Sequence, residues 1–222
     1  MKGHSKHTKK LFWISMDPRI ERLRNKAMVY ALEDASHDFS HTERVIELCM
    51  HLGPGVGADM DVLIAAALLH DVGLRDELER GVDHASCSAE IAESILRKER
   101  FDKDFIEKVC YAIRVHRYGR GIQPKSIEAK VLQDADRLDA MGAIGIARAF
   151  ADRRNRRIYD PSELPGTYDP FAERSALTHI KEKLLKLKDS LHTDEAKRIA
   201  EGRHRFIELF VDELEAELRG ER

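Results

Sequence analysis

The stretch richest in reactive groups is Leu68-Leu69-His70-Asp71-Val72-Gly73. A run of small and apolar residues, Val62 to Leu69, ends in adjacent ionisable side chains and then a glycine. Such a run reads as a buried helix. Burying an imidazole beside a carboxylate costs free energy unless something satisfies both. A divalent cation would: the neutral imidazole gives a nitrogen and the carboxylate an oxygen. The plainer reading is a helix end with a water-facing His and Asp, and the dipeptide alone does not choose.

Further residues of these types recur at helix ends. Ser40-His41-Thr42-Glu43 fits a capping box, and His41, Val45, Leu48 and Leu52 form one stripe before Gly53-Pro54-Gly55 ends the helix. Asp59 or Asp61 caps the next helix, where Leu63, Ala67 and His70 share a face. A fourth begins near His84, in line with Ser88, Ile91 and Ile95. Asp102 caps a fifth, whose stripe of Phe105 or Ile106, Val109 and Ile113 ends at His116. The sixth opens at Ser126, and Asp136 interrupts its inner face of Leu132, Asp139 or Ala140, and Ala143. A lone inward histidine is usually a hydrogen-bonded core residue. His41, His70-Asp71, His84, His116 and Asp136 together are harder to bury, at a cost on the order of several kcal/mol if unpaired. A shared metal and its water offset that cost, and helical bundles commonly build such sites from facing side chains.

The elements that would position these groups are all helical. Asp17-Pro18 opens a helix expected to run to about Ala35, with residues 1–16 as a mobile or loosely docked arm. Leu74 to Gly81 reads as a charged loop, and Gly73 as the residue that allows a sharp turn before it. Gly142 to Ala147 is a small-residue helix suited to close packing, without the context of a phosphate loop. Tyr159 to Phe171, rich in Pro and Gly, reads as an ordered loop or lid. Helices over Phe171 to Lys188 and Thr193 to Leu218 complete the chain. Arg153 to Arg157 reads as a solvated loop or as a cleft rim that steers phosphate. His179 is expected as a buried hydrogen-bonding histidine. Residues 17–222 are read as a single domain.

Composition limits the function classes. The 222 residues can bury one full core, and 42% hydrophobic with 35% charged residues is a globular composition. A formal net charge of −2 gives no global field for nucleic acid or membrane. Three scattered cysteines, Cys49, Cys87 and Cys110, form no CxxC and read as small core residues in a reducing compartment. No apolar run is long enough to span a membrane, and Leu11 to Ser15 is too short for a signal-peptide core. A cytoplasmic location is expected.

The order His41, His70-Asp71, Asp136 resembles the HD superfamily of metal-dependent phosphohydrolases. The flanks resemble its small stand-alone YedJ-like branch: His37-Asp38-Phe39-Ser40-His41-Thr42, Gln133 to Asp139, Gly142 to Arg148, Tyr159-Asp160-Pro161 and Lys183-Leu184-Leu185. The resemblance runs roughly from Met28 to Glu217, and Arg153 to Arg157 departs from it where a glycine-rich stretch is expected. It implies an all-α, HD-domain-like bundle with additional C-terminal helices. It also implies that His41, His70, Asp71 and Asp136 ligate the metal, and that His84 and His116 face substrate or a second ion.

The activity so implied is attack of a metal-activated water on a phosphate ester or anhydride, with Asp71 as ligand and proton acceptor. Two imidazoles and two carboxylates suit Mn²⁺, Fe²⁺, Mg²⁺, Co²⁺ or Ni²⁺, with Zn²⁺ also compatible, as one ion or two. Arg44, Arg75, Arg117 and Arg137 are candidates to balance the phosphate by their proximity in sequence. The expected partner is a small phosphate ester, a nucleotide in the sharpest form, with a nucleoside triphosphate releasing pyrophosphate. A phosphomonoesterase or a cyclic-nucleotide phosphodiesterase is the alternative hydrolase. A di-iron oxygenase, or a nucleotide- or nucleic-acid-binding module with a structural metal, is the alternative of another class. Near-neutral charge argues against a dedicated nucleic-acid binder. The apolar stripes of the last two helices permit a homodimer.

Overall fold

Val62 to Leu69 are each no more than 2% exposed, so the helix that carries them, Met60–Leu69, is surrounded on every side. A helix apolar all round has to sit at the centre of a fold. The computed structural model describes residues 17–32, 38–152, 157–169 and 171–221. Within them the helices are α1 (Pro18–Tyr30), α2 (Phe39–Leu52), α3 (Met60–Leu69), α4 (Leu74–Arg80), α5 (His84–Lys98), α6 (Lys103–Val115), α7 (Ile127–Asp139), α8 (Gly142–Ala151), α9 (Ala176–Glu182) and α10 (Asp194–Leu218). Short 3-10 turns occupy Pro54–Val56, Tyr118–Arg120 and Leu184–Ser190. No strand occurs among the described residues.

Helix α3 packs against α1, α2, α6 and α7, while α5 lies along α6 and α4 along α5. Leu63, Ile64, Leu68 and Leu69 fill the centre, each worth about 1.5–3 kcal/mol by the apolar surface it removes from water. On the far side α10 packs against α8, α7 and the Leu184–Ser190 turn. Among the described residues, no helix is long and apolar enough to cross a membrane.

Side-chain caps set most helix starts. Asp17 and Asp102 accept from backbone N–H groups of the first turn, as expected, and Ser126 and Thr193, read as the first residues of their helices, cap them in the same way. Asp59, not Asp61, caps α3. Helix α2 starts earlier than the capping box suggested: Asp38 is its cap and accepts from Ser40 N at 3.1 Å. Helix α1 ends at Tyr30 rather than near Ala35.

Two larger differences bear on the site. Leu74 to Arg80 is helix, not loop; its inward positions are Leu74 and Glu77, so its charge pattern hid an inner face. Gly73 has an ordinary φ of −94°, so it is needed for space rather than for a left-handed turn. A Cβ there would lie 2.5 Å from Ser88 N and 2.8 Å from Cys87 Cβ. The helix expected over Phe171 to Lys188 is only Ala176–Glu182, followed by the 3-10 turn. Gly145 of α8 fits the close-packing reading: a Cβ would come 2.2 Å from Ala140 O. Cys49 and Cys110 are buried and Cys87 half-buried, all as free thiols. Residues 1–16 and Arg153 to Arg156 lie outside the described residues, and Arg157 pairs with Asp160.

Candidate metal centre

The helix ends converge. His41 sits in the first turn of α2, His70 and His116 cap the C-termini of α3 and α6, His84 opens α5, and Asp136 lies near the end of α7. Asp71 stands among them. Its Oδ2 lies 3.5 Å from His41 Nε2 and 3.4 Å from His70 Nε2, and its Oδ1 lies 3.6 Å from both His84 Nε2 and His116 Nε2. Asp136 Oδ1 approaches His41 Nε2 at 3.5 Å. Two donor triads result, His41–His70–Asp71 and Asp71–His84–His116, joined through one carboxylate.

Each histidine is fixed from behind through Nδ1. His70 donates to Ala67 O at 2.8 Å, and His116 to Ile113 O at 2.7 Å. His41 donates to Asp139 Oδ2, and His84 to Glu77 Oε2, each at 2.8 Å. The two carboxylates are themselves clamped by arginines: Asp139 by Arg44 and Arg148, Glu77 by Arg117. Carboxylate and carbonyl partners of this kind fix the tautomer and orientation of a metal-binding imidazole.

This pattern is a test of the donor set. With every Nδ1 committed as a donor, neutral rings aim lone pairs inward from Nε2. Yet His41 Nε2 is 3.2 Å from His70 Nε2, and His84 Nε2 is 3.3 Å from His116 Nε2. Two lone pairs at that separation repel unless a proton or a metal ion lies between them. Two donors on adjacent positions of an octahedral ion with ~2.1 Å bonds stand ~3 Å apart, so the residues fit a divalent metal.

The electrostatics of the cluster by itself divide its members: His70 and the two carboxylates are held in their ligating forms, whereas His41 and His116 are held toward a proton, which a metal would displace. Burial pushes His70 down to about 4, which leaves it neutral and available as a ligand. Burial alone would raise Asp71, but His70, His116 and His41 hold it well below the usual carboxylate range. Asp136 is likewise held low against burial, by His41, His70 and His116. Burial and Arg148 pull His41 down, yet hydrogen bonds to Asp139 and Asp71 leave it above its ordinary value. His116 is also raised, with Asp71 outweighing burial.

The four candidate arginines fall in different places. Arg44 is bound to Asp139, with Nε 2.6 Å from Oδ1. Arg117 is buried against Glu77 and Asp83 at the rim of the centre. Arg75 lies exposed on α4. Arg137 faces a neighbouring chamber. A cavity of about 80 Å³ above the cluster is lined by Asp71, His84, His116, Arg117, Tyr118, Asp136, Arg148, Tyr168 and Lys183 among others. Tyr118, Asp136, Arg148 and Lys183 also wall the second chamber, of about 70 Å³, so the two adjoin. His179 lines that chamber and is half-buried rather than buried.

Glu77, Arg148, Tyr168 and Lys183 were not singled out as site residues from the sequence. A signal for Glu77 existed: it is the inward position of α4, seven residues before His84. Arg148 and Lys183 lie in two stretches that carry the resemblance, Gly142 to Arg148 and Lys183-Leu184-Leu185, though without a site role, and nothing local pointed to Tyr168; the three reach the site from α8, the end of α9 and the 157–169 segment.

The HD domain family matches residues 38–141, the segment from the α2 cap to the start of α8. YpgQ of Bacillus subtilis, an uncharacterized protein, is 37% identical over 195 residues, covering 85% of this chain and 87% of YpgQ. The chain belongs to the HD-domain family. A crystal structure of a Lactobacillus plantarum protein is similar at a TM-score of 0.80 and 29% identity, over 92% of this chain and 98% of that one. A predicted HD superfamily hydrolase from an uncultured Thermotogales bacterium is similar at 0.63 and 32%, over 94% and 98%. The crystal structure of YpgQ in complex with ADP is similar at 0.69 and 31%, over 90% and 94%. The protein is therefore an HD-superfamily enzyme, a metal-dependent phosphohydrolase. HD domains bind divalent metals, and the His/Asp cluster could hold one.

Proposed function

We propose that the protein hydrolyses a phosphate ester or anhydride of a nucleotide at the cluster around Asp71, in its sharpest form a nucleoside triphosphate with release of pyrophosphate. The observation that carries this reading is the placement of Asp71 between four inward-facing Nε2 atoms at 3.4–3.6 Å, beneath a cavity rimmed by Arg117, Arg148 and Lys183. The ADP held by YpgQ supports a nucleotide as the ligand class.

In this reading His41, His70, Asp71 and Asp136 hold a divalent ion, and His84 and His116 with Asp71 offer a second position. An ion there supplies Lewis-acid charge and brings the pKa of a bound water toward neutrality. Asp71, ionised at rest, would orient the attacking water and take up its proton. The water oxygen bonds to phosphorus, the bond from phosphorus to the leaving oxygen breaks, and the proton passes on to the leaving group. Arg148, at the cavity edge, and Lys183 offset the charge that collects on the phosphoryl oxygens.

One observation favours a second reading. His84 and His116 stand as close to Asp71 as the first triad does, which is the geometry a di-iron oxygenase would need. A nucleotide panel with added Mn²⁺ separates the readings when phosphate and pyrophosphate are assayed apart. Pyrophosphate released from triphosphates supports the proposal in its sharpest form. Phosphate released from monophosphates makes the enzyme a phosphomonoesterase. No turnover of any nucleotide by metal-loaded protein overturns the hydrolytic reading.

A further inference from the structure

The chain leaves α6 at His116 and returns to α-helix only at α7, so His116 stands at the root of a turn. Within that turn the backbone bonds are local: Arg120 N donates to Arg117 O at 3.3 Å and Gly121 N to Tyr118 O at 3.0 Å. The last carbonyls of a helix have no partner within it, and a buried one must find another. Val115 is buried, and its carbonyl accepts from Gln133 Nε2 at 2.6 Å. The same nitrogen donates to Ile122 O at 3.1 Å. One side-chain amide from α7 thus ties both ends of the turn that holds His116, Arg117 and Tyr118.

Gln133 is fully buried, and its neighbours fix which way its amide points. The two carbonyls can only accept, so both N–H groups face Val115 and Ile122, and Oε1 is left as an acceptor. His192 Nε2 lies 2.8 Å from Oε1 and therefore carries the ring proton. Arg137 Nη1 stands 3.2 Å from that nitrogen, but two donors form no bond, and its N–H goes to Ser190 O. His192 is held in turn by Asp134. Its backbone N donates to Oδ1 at 2.8 Å, and Thr193 N and Oγ1 donate to Oδ2 at 2.8 and 2.7 Å. Gln133 and Asp134 are neighbours on α7, so this helix grips the start of α10 with one residue and the His116 turn with the other.

We propose that Gln133 and His192 are positioning residues for the His84–His116 side of the cluster. Gln133 sets where the end of α6 stands against α7, and His192 sets Gln133. His116 bonds through Nδ1 to Ile113 O in that same last turn, so its Nε2 moves with the turn. Arg117, the next residue, clamps Glu77, the carboxylate behind His84. Both imidazoles of the Asp71–His84–His116 triad therefore depend on the tie. His41 and His70 do not: they stand on α2 and α3, held by Asp139 and by Ala67 O. The inference rests on the second ion position of the proposed function, and it gives the two positions separate supports.

The test is calorimetric Mn²⁺ titration, with electron paramagnetic resonance of the same samples, in wild type, Gln133→Met, His192→Ala and His192→Gln. Methionine keeps the length of Gln133 and removes both donors. His192→Ala removes only the donor to Oε1, at a half-buried position, and serves where Gln133→Met does not fold. Gln133→Met is expected to weaken the second Mn²⁺ by about tenfold and to leave the first within about twofold, the scale of losing an outer partner of a ligand. Exchange coupling between neighbouring ions is expected to fade from the spectrum while the signal of isolated ions stays. His192→Ala is expected to act in the same direction by a smaller factor, and His192→Gln, whose amide can donate, to recover most of the loss. An equal loss at both positions would reduce Gln133 to a residue of the fold and overturn the proposal. So would unchanged affinity for the second ion, or a wild type that takes a single ion. Because ion binding is read without nucleotide, the proposal can fail in an enzyme that hydrolyses nucleotides, and it can stand in one that does not.

Discussion

Asp139 holds His41 from behind: Oδ2 accepts the Nδ1–H at 2.8 Å, and the two side chains are 1% and 3% exposed. Arg44 and Arg148 fix the carboxylate in turn. The same arrangement recurs across the cluster, where Glu77, clamped by Arg117, holds His84. Each triad thus has one histidine set by a carboxylate and one set by a backbone carbonyl.

Asp139→Asn keeps the shape and removes the charge. Mn²⁺ affinity at the His41–His70–Asp71 triad is expected to fall about 10- to 100-fold, the usual effect of losing such an outer partner. Glu77→Gln is expected to weaken the His84–His116 triad instead. Calorimetric Mn²⁺ titration, with circular dichroism as a check of folding, reads both. Wild-type affinity in both variants would mean that the clamps serve the fold alone.

Gly73 is required by its neighbours rather than by its backbone angles. Gly73→Ala puts a Cβ 2.5 Å from Ser88 N, in a turn where Gly73 N donates to Ser88 Oγ at 2.8 Å. Overpacking of this kind typically destabilises by about 1–3 kcal/mol. The urea midpoint is expected to drop accordingly, with weaker Mn²⁺ binding because Asp71 lies two residues away. An unchanged midpoint would show that α4 and α5 can separate freely.

The positions of the ionisable residues could be read from the sequence because helix periodicity alone turns them inward. His41, His70, His84, His116 and Asp136 each continue an apolar stripe at a helix end, and the fold brings these ends together. Their supports were harder to see. Glu77 lies in a segment whose charges mimic a loop, and its role depends on α4 packing along α5. Arg44 and Arg117 lie beside site residues in sequence, yet in the fold they bind Asp139 and Glu77. Lys183 and Tyr168 come from the C-terminal half; Lys183 lies in a stretch that carries the resemblance, though without a site role, and nothing local links Tyr168 to the cluster. The Phe171 to Lys188 segment has helical spacing, but only Ala176–Glu182 forms an α-helix, and the 3-10 turn carries Leu184 and Leu187 into the chamber wall.

The thiols give a pH-dependent check of the core. Burial pushes Cys110 up to about 11 and Cys49 higher still. A thiol whose folded pKa lies above its unfolded one stabilises the fold fully below the unfolded value, and that contribution is lost as pH rises through the folded value. At pH 8, iodoacetamide is therefore expected to spare Cys49 and Cys110 in the folded protein and to label all three cysteines in urea, as read by mass spectrometry. Stability is expected to decline from about pH 8.5 upward. Rapid labelling of Cys49 in the native state would contradict the packing of α2 against α3 and α7.

The most direct test of the account is Mn²⁺ binding and nucleotide hydrolysis measured side by side in wild type and Asp71→Ala. Asp71 joins both triads, so the variant is expected to bind Mn²⁺ more weakly at each. It should also lose turnover by about 10²-fold or more while its helical content is retained. Turnover that survives in folded Asp71→Ala, or Mn²⁺ binding equal to wild type, would place the metal and the chemistry elsewhere.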